Sequence, residues 1–95
     1  MSDAPATALL VRVTGRVQGV SFRAWTEGRA RALGLEGWVR NQPDGSVVAL
    51  IGGPDDAVAE MVAAFHQGPR WARVAHVATE PADPGAVPPG FRITR

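Results

Sequence analysis

The sequence predicts an α+β protein in which two helices pack on one face of an antiparallel sheet. Three observations predict it. Short apolar strands and two amphipathic stretches follow one another in the order βαββαβ, with a final short strand. An Asp-Gly turn joins the second and third strands. The length of 95 residues suits one modest core. We expect a flexible leader over residues 1–6 and a single domain over residues 7–95.

The first strand and the first helix are separated by a glycine-containing loop. Apolar residues at positions 9, 11 and 13 alternate with Leu10, Arg12 and Thr14, which is typical of a strand with one apolar face. After Gly15 and Gly19, a helix is predicted from about 21 to 33, with Ser21 as its N-cap. Gly34 followed by Leu35 predicts its end. The helix's inner stripe comprises Phe22, Trp25, Thr26, Ala30 and Leu33.

A hairpin and a second helix follow. Residues 37–41 form a short strand, the Asp44-Gly45 turn follows, and residues 46–51 return. Gly52-Gly53 stops that strand, and Pro54 with two acids starts the helix, which Gly68-Pro69 ends. The helix carries the clearest amphipathic pattern of the chain, formed by Val58, Met61, Val62 and Phe65.

The last part of the chain adds two strands. Residues 71–79 form one, and the unequal parity of Val74 and Val77 predicts a bulge or a twist in it. A proline-rich loop leads to a short strand at 91–94. This element order is typical of the split-βαβ, ferredoxin-like arrangement.

The charge composition is unusual, because all ten basic residues are Arg and the chain has no Lys, Cys or Tyr. Almost nothing titrates at alkaline pH, so the basic isoelectric point reflects missing groups rather than a basic surface. The formal net charge is +1. We therefore expect most arginines to be solvated charges, including Arg29 and Arg31. Glu27 and Arg31 form a minor i,i+4 pair.

Several function classes lose support from the same composition. The absence of Cys removes disulfides, thiolate nucleophiles and Cys-based metal sites. His66 and His76 are ten residues apart, which disfavours a metal site. We expect His66 at the surface near the end of the second helix, and His76 as a strand residue that does not act as a base. No signal peptide and no apolar run of membrane-spanning length is present. We expect a cytoplasmic protein without a metal or cofactor.

Residues 15–23 are the first candidate site. Two glycines let the backbone curve with its N–H groups inward, and the helix N-terminus adds more free N–H groups. Arg23, in the first helical turn, can bind two oxygens of a phosphate. Spacing alone favours another interpretation, in which the glycines only turn the chain and Arg23 is solvated.

Asn41, at the end of the second strand, is the second candidate. We expect that strand near the first, so that the amide of Asn41 approaches the loop and holds a water. Judged alone, Asn41 is better explained as an ordinary turn residue. Trp25, Trp38 and Trp71 are expected to pack, with Trp71 filling a gap after the second helix.

A resemblance to a known family bears on both candidates. Residues 15–23, GRVQGVSFR, closely resemble the signature of acylphosphatases. Residues 37–41, GWVRN, followed by DGSV at 44–47, are similar to the family's second signature. Further agreement comes from Gly68-Pro69, Ala72, Val74 and Phe91. The chain is therefore identified as resembling a stand-alone acylphosphatase from about Leu9 to its C-terminus.

The resemblance implies a hydrolase that converts acyl phosphates to a carboxylate and inorganic phosphate. It implies that Arg23 binds the phosphoryl oxygens and Asn41 orients the attacking water. The backbone amides that complete the phosphate cradle would be those of Val17, Gln18, Gly19, Val20, Ser21 and Phe22. Gly15 and Arg16 would support it, although Arg16 could equally be a solvated loop charge. Gln18 is expected to stabilise the loop by hydrogen bonding.

The implied partner is a small-molecule acyl phosphate, with no nucleic acid, no membrane and a monomeric protein. Ser21 departs from the family pattern, in which Gly or an aromatic residue is common, and its hydroxyl is expected to cap the helix or touch the phosphate. Two other classes stay open. An RNA-binding module of this fold needs a specific run of strand aromatics and a basic face, and the chain, with three Phe and no Tyr, has no such run. A non-catalytic phosphate-binding module would bind phosphate without turnover.

Overall fold

The computed structural model describes residues 6–95 as a five-stranded sheet with two helices on one face. The expected leader, except for Ala6, lies outside the described residues. The strands are β1 (Thr7–Arg16), β2 (Glu36–Asn41), β3 (Val47–Gly53), β4 (Arg73–Pro81) and β5 (Phe91–Ile93). The helices are α1 (Phe22–Ala32) and α2 (Asp55–Gln67). Neither described helix has the length and hydrophobicity needed to cross a membrane.

The sheet order is β4-β1-β3-β2-β5, and the predicted ferredoxin-like arrangement is confirmed. The four longer strands pair antiparallel, but β5 pairs parallel to β2, so the sheet is mixed rather than purely antiparallel. The reason is that the chain leaves β4 at one edge, makes a single 3₁₀ turn at Pro84–Ala86 and joins the opposite edge. Gly37 N–H donates to Gly90 O over 2.8 Å, which fixes where β5 begins.

The core lies between the sheet and the helices, as the predicted apolar faces require. Val11, Val13 and Val39 face it from the strands, and Met61 and Phe65 from α2, and none of these five is more than 1% exposed. On α1, Phe22 stacks on Phe65 with ring centres 6.1 Å apart, and Trp25 meets both rings edge-on. The first residue of α1 is thus fixed in the core directly after the glycine-containing loop.

Several boundaries differ from the prediction. β3 runs through Gly52 and Gly53, because both pair with β1 and Gly52 also pairs with β2. β4 starts at Arg73, and Trp71 precedes it with 70% of its surface exposed, so the prediction that Trp71 fills a gap is wrong. The predicted bulge in this strand is confirmed, because Thr14 pairs with His76 and Gly15 with Val74, which leaves Ala75 as the extra residue.

The two ends of α1 differ from each other in how they are capped. At the C-terminal end Leu35 N–H bonds to Ala30 O and Gly34 N–H to Arg31 O, as the Gly-Leu signal predicted. At the N-terminal end Ser21 occupies the cap position, but its backbone is left-handed (φ 62°) and its side chain makes no cap hydrogen bond. The predicted capping hydroxyl is therefore wrong, because the left-handed backbone does not direct it toward the helix N–H groups.

Candidate active site

The loop between β1 and α1 is held at both ends by the core. Val17 and Phe22 are 1% and 2% exposed, and the residues between them arch outward. The arch uses left-handed backbone at Gly19 (φ 76°) and Ser21 (φ 62°). Residues 17–21 donate no backbone hydrogen bond to any described residue. Consecutive unpaired N–H groups next to a helix N-terminus form a concave, electropositive surface suited to an anion.

Gly15 lies where the loop leaves the sheet, opposite the bulge of β4. Its backbone is left-handed (φ 120°), and a Cβ there would lie 2.2 Å from the carbonyl oxygen of Arg73. No other residue type allows the two strands to approach this closely. Gly15 thus positions the start of the loop, although it is not among the residues that line the cavity beside Arg23.

A cavity of about 410 Å³ brings the predicted site residues together. Arg23 and Asn41, which are far apart in the sequence, both line it, beside the arch of the loop. The lining residues are Val17, Gln18, Gly19, Ser21, Phe22, Arg23, Ala24, Asn41 and Ile93. We call this the phosphate cavity, after the ligand that the resemblance implies. No Asp, Glu or His lines it.

Gln18 connects the loop to the strand that carries Asn41. Its Nε2 donates to the carbonyl oxygens of Gln42 (2.8 Å) and Ser46 (2.9 Å), directly after Asn41 and across the turn. The predicted loop-stabilising role of Gln18 is confirmed by these bonds. β2 lies near β1, as expected, but β3 separates the two strands. The Gln18 side chain spans that separation and fixes Asn41 relative to the loop.

The turn after Asn41 is itself braced by a charged network. Asp44 Oδ1 accepts from Ser46 N–H (2.9 Å) and Ser46 Oγ–H (2.6 Å). Arg12 Nη1 donates to Ser46 Oγ (2.9 Å) and to Asp44 Oδ2 (3.2 Å). The hydrogen bonds from Ser46 are the main cause that lowers the pKa of Asp44, with a smaller contribution from Arg12. Asn41 therefore precedes a turn that is held in one conformation.

The other predicted site residues lie elsewhere on the loop. Arg16 and Val20 do not line the phosphate cavity, but they line a second cavity on the other side of Gly19 and Ser21. Ile93 was missed by the sequence interpretation. It reaches the phosphate cavity because β5 lies beside β2, and no local signal in a three-residue strand predicts that pairing.

Known proteins share both the sequence and this architecture. The sequence model of the family described as Acylphosphatase matches residues 9–93. An acylphosphatase of Rhizobium meliloti (strain 1021) is 61% identical over 88 residues, which cover 93% of each chain. This chain belongs to the acylphosphatase family. The match confirms the resemblance that residues 15–23 and 37–41 carried, and it makes the chain a hydrolase.

Solved structures of acylphosphatases have the same fold. The acylphosphatase from Coxiella burnetii superposes with a TM-score of 0.88 at 32% identity and covers 99% of this chain and 100% of its own. The acylphosphatase from Bacillus subtilis gives 0.83 at 32% identity and covers 93% and 98%. Because both matches span nearly the whole of each chain, the acylphosphatase fold here extends over both the sheet and the loop.

Charge at the acylphosphatase loop comes from Arg and backbone amides. Within residues 6–95, no three His, Asp or Glu side chains come together as a metal site.

Arg31, predicted as a solvated charge, pairs with Glu27 (3.3 Å) as expected. It also donates from Nε and Nη2 to Phe91 O (3.1 and 2.9 Å). It thereby holds β5, the strand that brings Ile93 to the phosphate cavity.

Proposed function

We propose that this chain, acting as a single domain over residues 7–95, hydrolyses acyl phosphates to a carboxylate and inorganic phosphate. The observation that carries the proposal is the phosphate cavity, where unpaired loop amides, Arg23 and Asn41 meet in one space of about 410 Å³. Membership of the acylphosphatase family supports the same reaction.

In this proposal the phosphoryl group lies in the arch of the loop. The backbone amides of residues 17–22 donate to its oxygens, and the positive end of α1 points toward it. Arg23 adds a planar fork that binds two phosphoryl oxygens at once. The loop amides are positioned before the substrate arrives, because Val17 and Phe22 fix both ends of the loop in the core. Preorganised donors of this kind stabilise the charge of the transition state.

Asn41 orients the attacking water. As the water oxygen bonds to phosphorus, the bond between phosphorus and the acyl oxygen breaks, and that oxygen leaves with the electron pair as a carboxylate. One water proton passes to a phosphoryl oxygen, and the products are a carboxylate and inorganic phosphate. A carboxylate is a good leaving group, so the reaction needs positioning and charge stabilisation more than a general acid. This agrees with a cavity lined by no Asp, Glu or His.

Hydrolysis of benzoyl phosphate in the presence of a chelator tests the proposal. The wild-type chain is expected to be active, and Arg23→Gln to lose about 10²- to 10³-fold in kcat/KM, as when one donor to a developing oxyanion is removed. Arg29→Gln is the matched control, since it removes an exposed arginine from the same helix. Equal rates for the wild type and Arg23→Gln would contradict the proposal.

The partners and location expected from the sequence belong to the same proposal. We expect a monomer, which light scattering after size-exclusion chromatography tests. We expect no binding of RNA, so a gel-shift titration with RNA is expected to stay flat. A cytoplasmic location is tested by cell fractionation.

A further inference from the structure

A second cavity lies beside the phosphate cavity and is lined by three arginines. It measures about 700 Å³ and is bordered by Arg16, Gly19, Val20, Ser21, Arg70, Trp71, Ala72 and Arg73. We call it the arginine cavity. No acidic side chain lines it. With Arg23, four of the ten arginines line these two cavities, in a chain whose formal net charge is only +1. The three arginines of this cavity are exposed, as expected of solvated charges, but they are clustered at one end of the sheet.

The positive charge of the arginine cavity is not neutralised by the protein. Arg16 and Arg73 are direct partners in the β1–β4 ladder, which places two like charges side by side. Such a pair is unfavourable without a counter-charge. The ion pairs within residues 6–95 are those of Arg12 and Arg31, so none of the three cavity arginines has a carboxylate partner there. An anion bound between them would relieve this repulsion.

Arg70 and Trp71 belong to a turn that is fixed against the loop. A Cβ at Gly68 would lie 3.1 Å from the ring of Phe22, so the turn packs directly on the first residue of α1. Ala72 N–H donates to Pro69 O over 3.0 Å and closes the turn. Trp71 is 70% exposed, and the guanidinium of Arg70 lies 5.0 Å from its ring centre. This cation–π contact favours a position of the Arg70 guanidinium beside the cavity.

The topology places the two cavities on opposite sides of the loop of residues 17–21 between β1 and α1, which we call the phosphate loop. The loop leaves the end of β1, which has β4 on one side and β3, then β2, on the other. Asn41 therefore lies on one side and the arginine cavity on the other, and Gly19 and Ser21 line both. A Cβ at Gly19 would meet nothing within 4 Å, so the loop is open to solvent at this residue, between the two cavities. An in-line displacement requires the attacking water and the leaving group on opposite sides of phosphorus.

We propose that the arginine cavity receives the acyl part of the substrate and favours acyl phosphates that carry a second anionic group, a carboxylate or a phosphate. The inference rests on the proposed function, because it places the leaving carboxylate opposite the water held by Asn41. Arg16, Arg70 and Arg73 bind the second anion, and the exposed face of Trp71 contacts an apolar or aromatic spacer.

The test compares benzoyl phosphate with 4-carboxybenzoyl phosphate and 3-carboxybenzoyl phosphate. The substrates differ only in the second carboxylate, on a rigid ring that prevents intramolecular attack on the acyl group. The measured quantity is the ratio of kcat/KM for each carboxylated substrate to that for benzoyl phosphate. For the better isomer, the ratio is expected to fall about threefold to fivefold in Arg70→Gln and in Arg73→Gln, as for a partly exposed ion pair. Arg92→Gln, the same charge change on the opposite edge strand, is expected to keep the wild-type ratio.

Two further measurements use the wild type alone. The ratio is expected to fall as the salt concentration rises, and terephthalate is expected to inhibit at lower concentration than benzoate. These results stand even if a variant fails to fold. If the wild type hydrolyses benzoyl phosphate but the ratio for both isomers is the same in Arg70→Gln, Arg73→Gln and Arg92→Gln, the acyl subsite is overturned. Absence of benzoyl phosphate hydrolysis would instead overturn the proposed function.

Discussion

Replacement of Gln18 by alanine is expected to uncouple the phosphate loop from Asn41. The side chain makes two hydrogen bonds, of 2.8 and 2.9 Å, to the carbonyls of Gln42 and Ser46. Both carbonyls keep another donor, since Gly45 N–H bonds to Gln42 O and Gln42 N–H to Ser46 O. The loss is therefore that of two ordinary bonds rather than of stranded polar groups. At about 1 kcal/mol each, Gln18→Ala is expected to lower the free energy of unfolding by about 2 kcal/mol.

The same bonds set an upper limit on the catalytic effect. If all of that energy holds the loop in register with Asn41, kcat on benzoyl phosphate falls by at most roughly 30-fold, since 1.36 kcal/mol corresponds to tenfold. Urea unfolding measures the first quantity and steady-state kinetics the second. Gln67→Ala is the matched control, because Gln67 is exposed at the end of α2. It is expected to leave both quantities near wild type.

Two results would contradict this role of Gln18. If Gln18→Ala unfolded at the same urea concentration as Gln67→Ala and kept the wild-type kcat, the bridge between loop and turn would have no role. A loss of kcat much larger than 30-fold, with little loss of stability, would show that the Gln18 amide contacts the reacting atoms directly. Gln18 lines the phosphate cavity, so the second result can be tested directly by the same kinetics.

Three further predictions concern the site and its support. Asn41→Ala is expected to lower kcat on benzoyl phosphate by about 10²- to 10³-fold with a smaller change in KM, because water positioning acts in the transition state; a near-wild-type kcat would contradict it. The folded-state pKa of Asp44 is lowered below 3.8, so its ionised form stabilises the protein above that pH and the benefit is lost as the pH falls through the folded pKa. The urea midpoint of Asp44→Asn is thus expected to lie below that of the wild type at neutral pH and to converge with it below pH 3.8; a constant gap at all pH values would exclude this ionisation as the cause. Ser21→Gly removes a side chain from left-handed backbone where the hydroxyl makes no cap bond, and it is expected to raise the free energy of unfolding by up to about 1 kcal/mol; a lower urea midpoint would show a stabilising contact of the hydroxyl.

The features that could be predicted from the sequence alone are local: the core faces of single elements and the end of a helix. The alternation of Val11 and Val13 with Arg12 defined the core face of β1, and the i, i+3, i+4 pattern of Val58, Met61 and Val62 defined that of α2. Gly34-Leu35 likewise predicted the end of α1. In each case the residues that make the structure are within a few positions of one another, so side-chain period and backbone preference suffice.

The tertiary structure decided what depends on residues far apart in the chain. Strand β3 lies between β1 and β2, so only the Gln18 side chain shows how Asn41 is fixed beside the loop. The parallel pairing of β5 brings Ile93 to the phosphate cavity, and the β1–β4 ladder sets Arg16 beside Arg73. Strand order and cross-strand register follow from packing of the whole core, and no window of the sequence contains them.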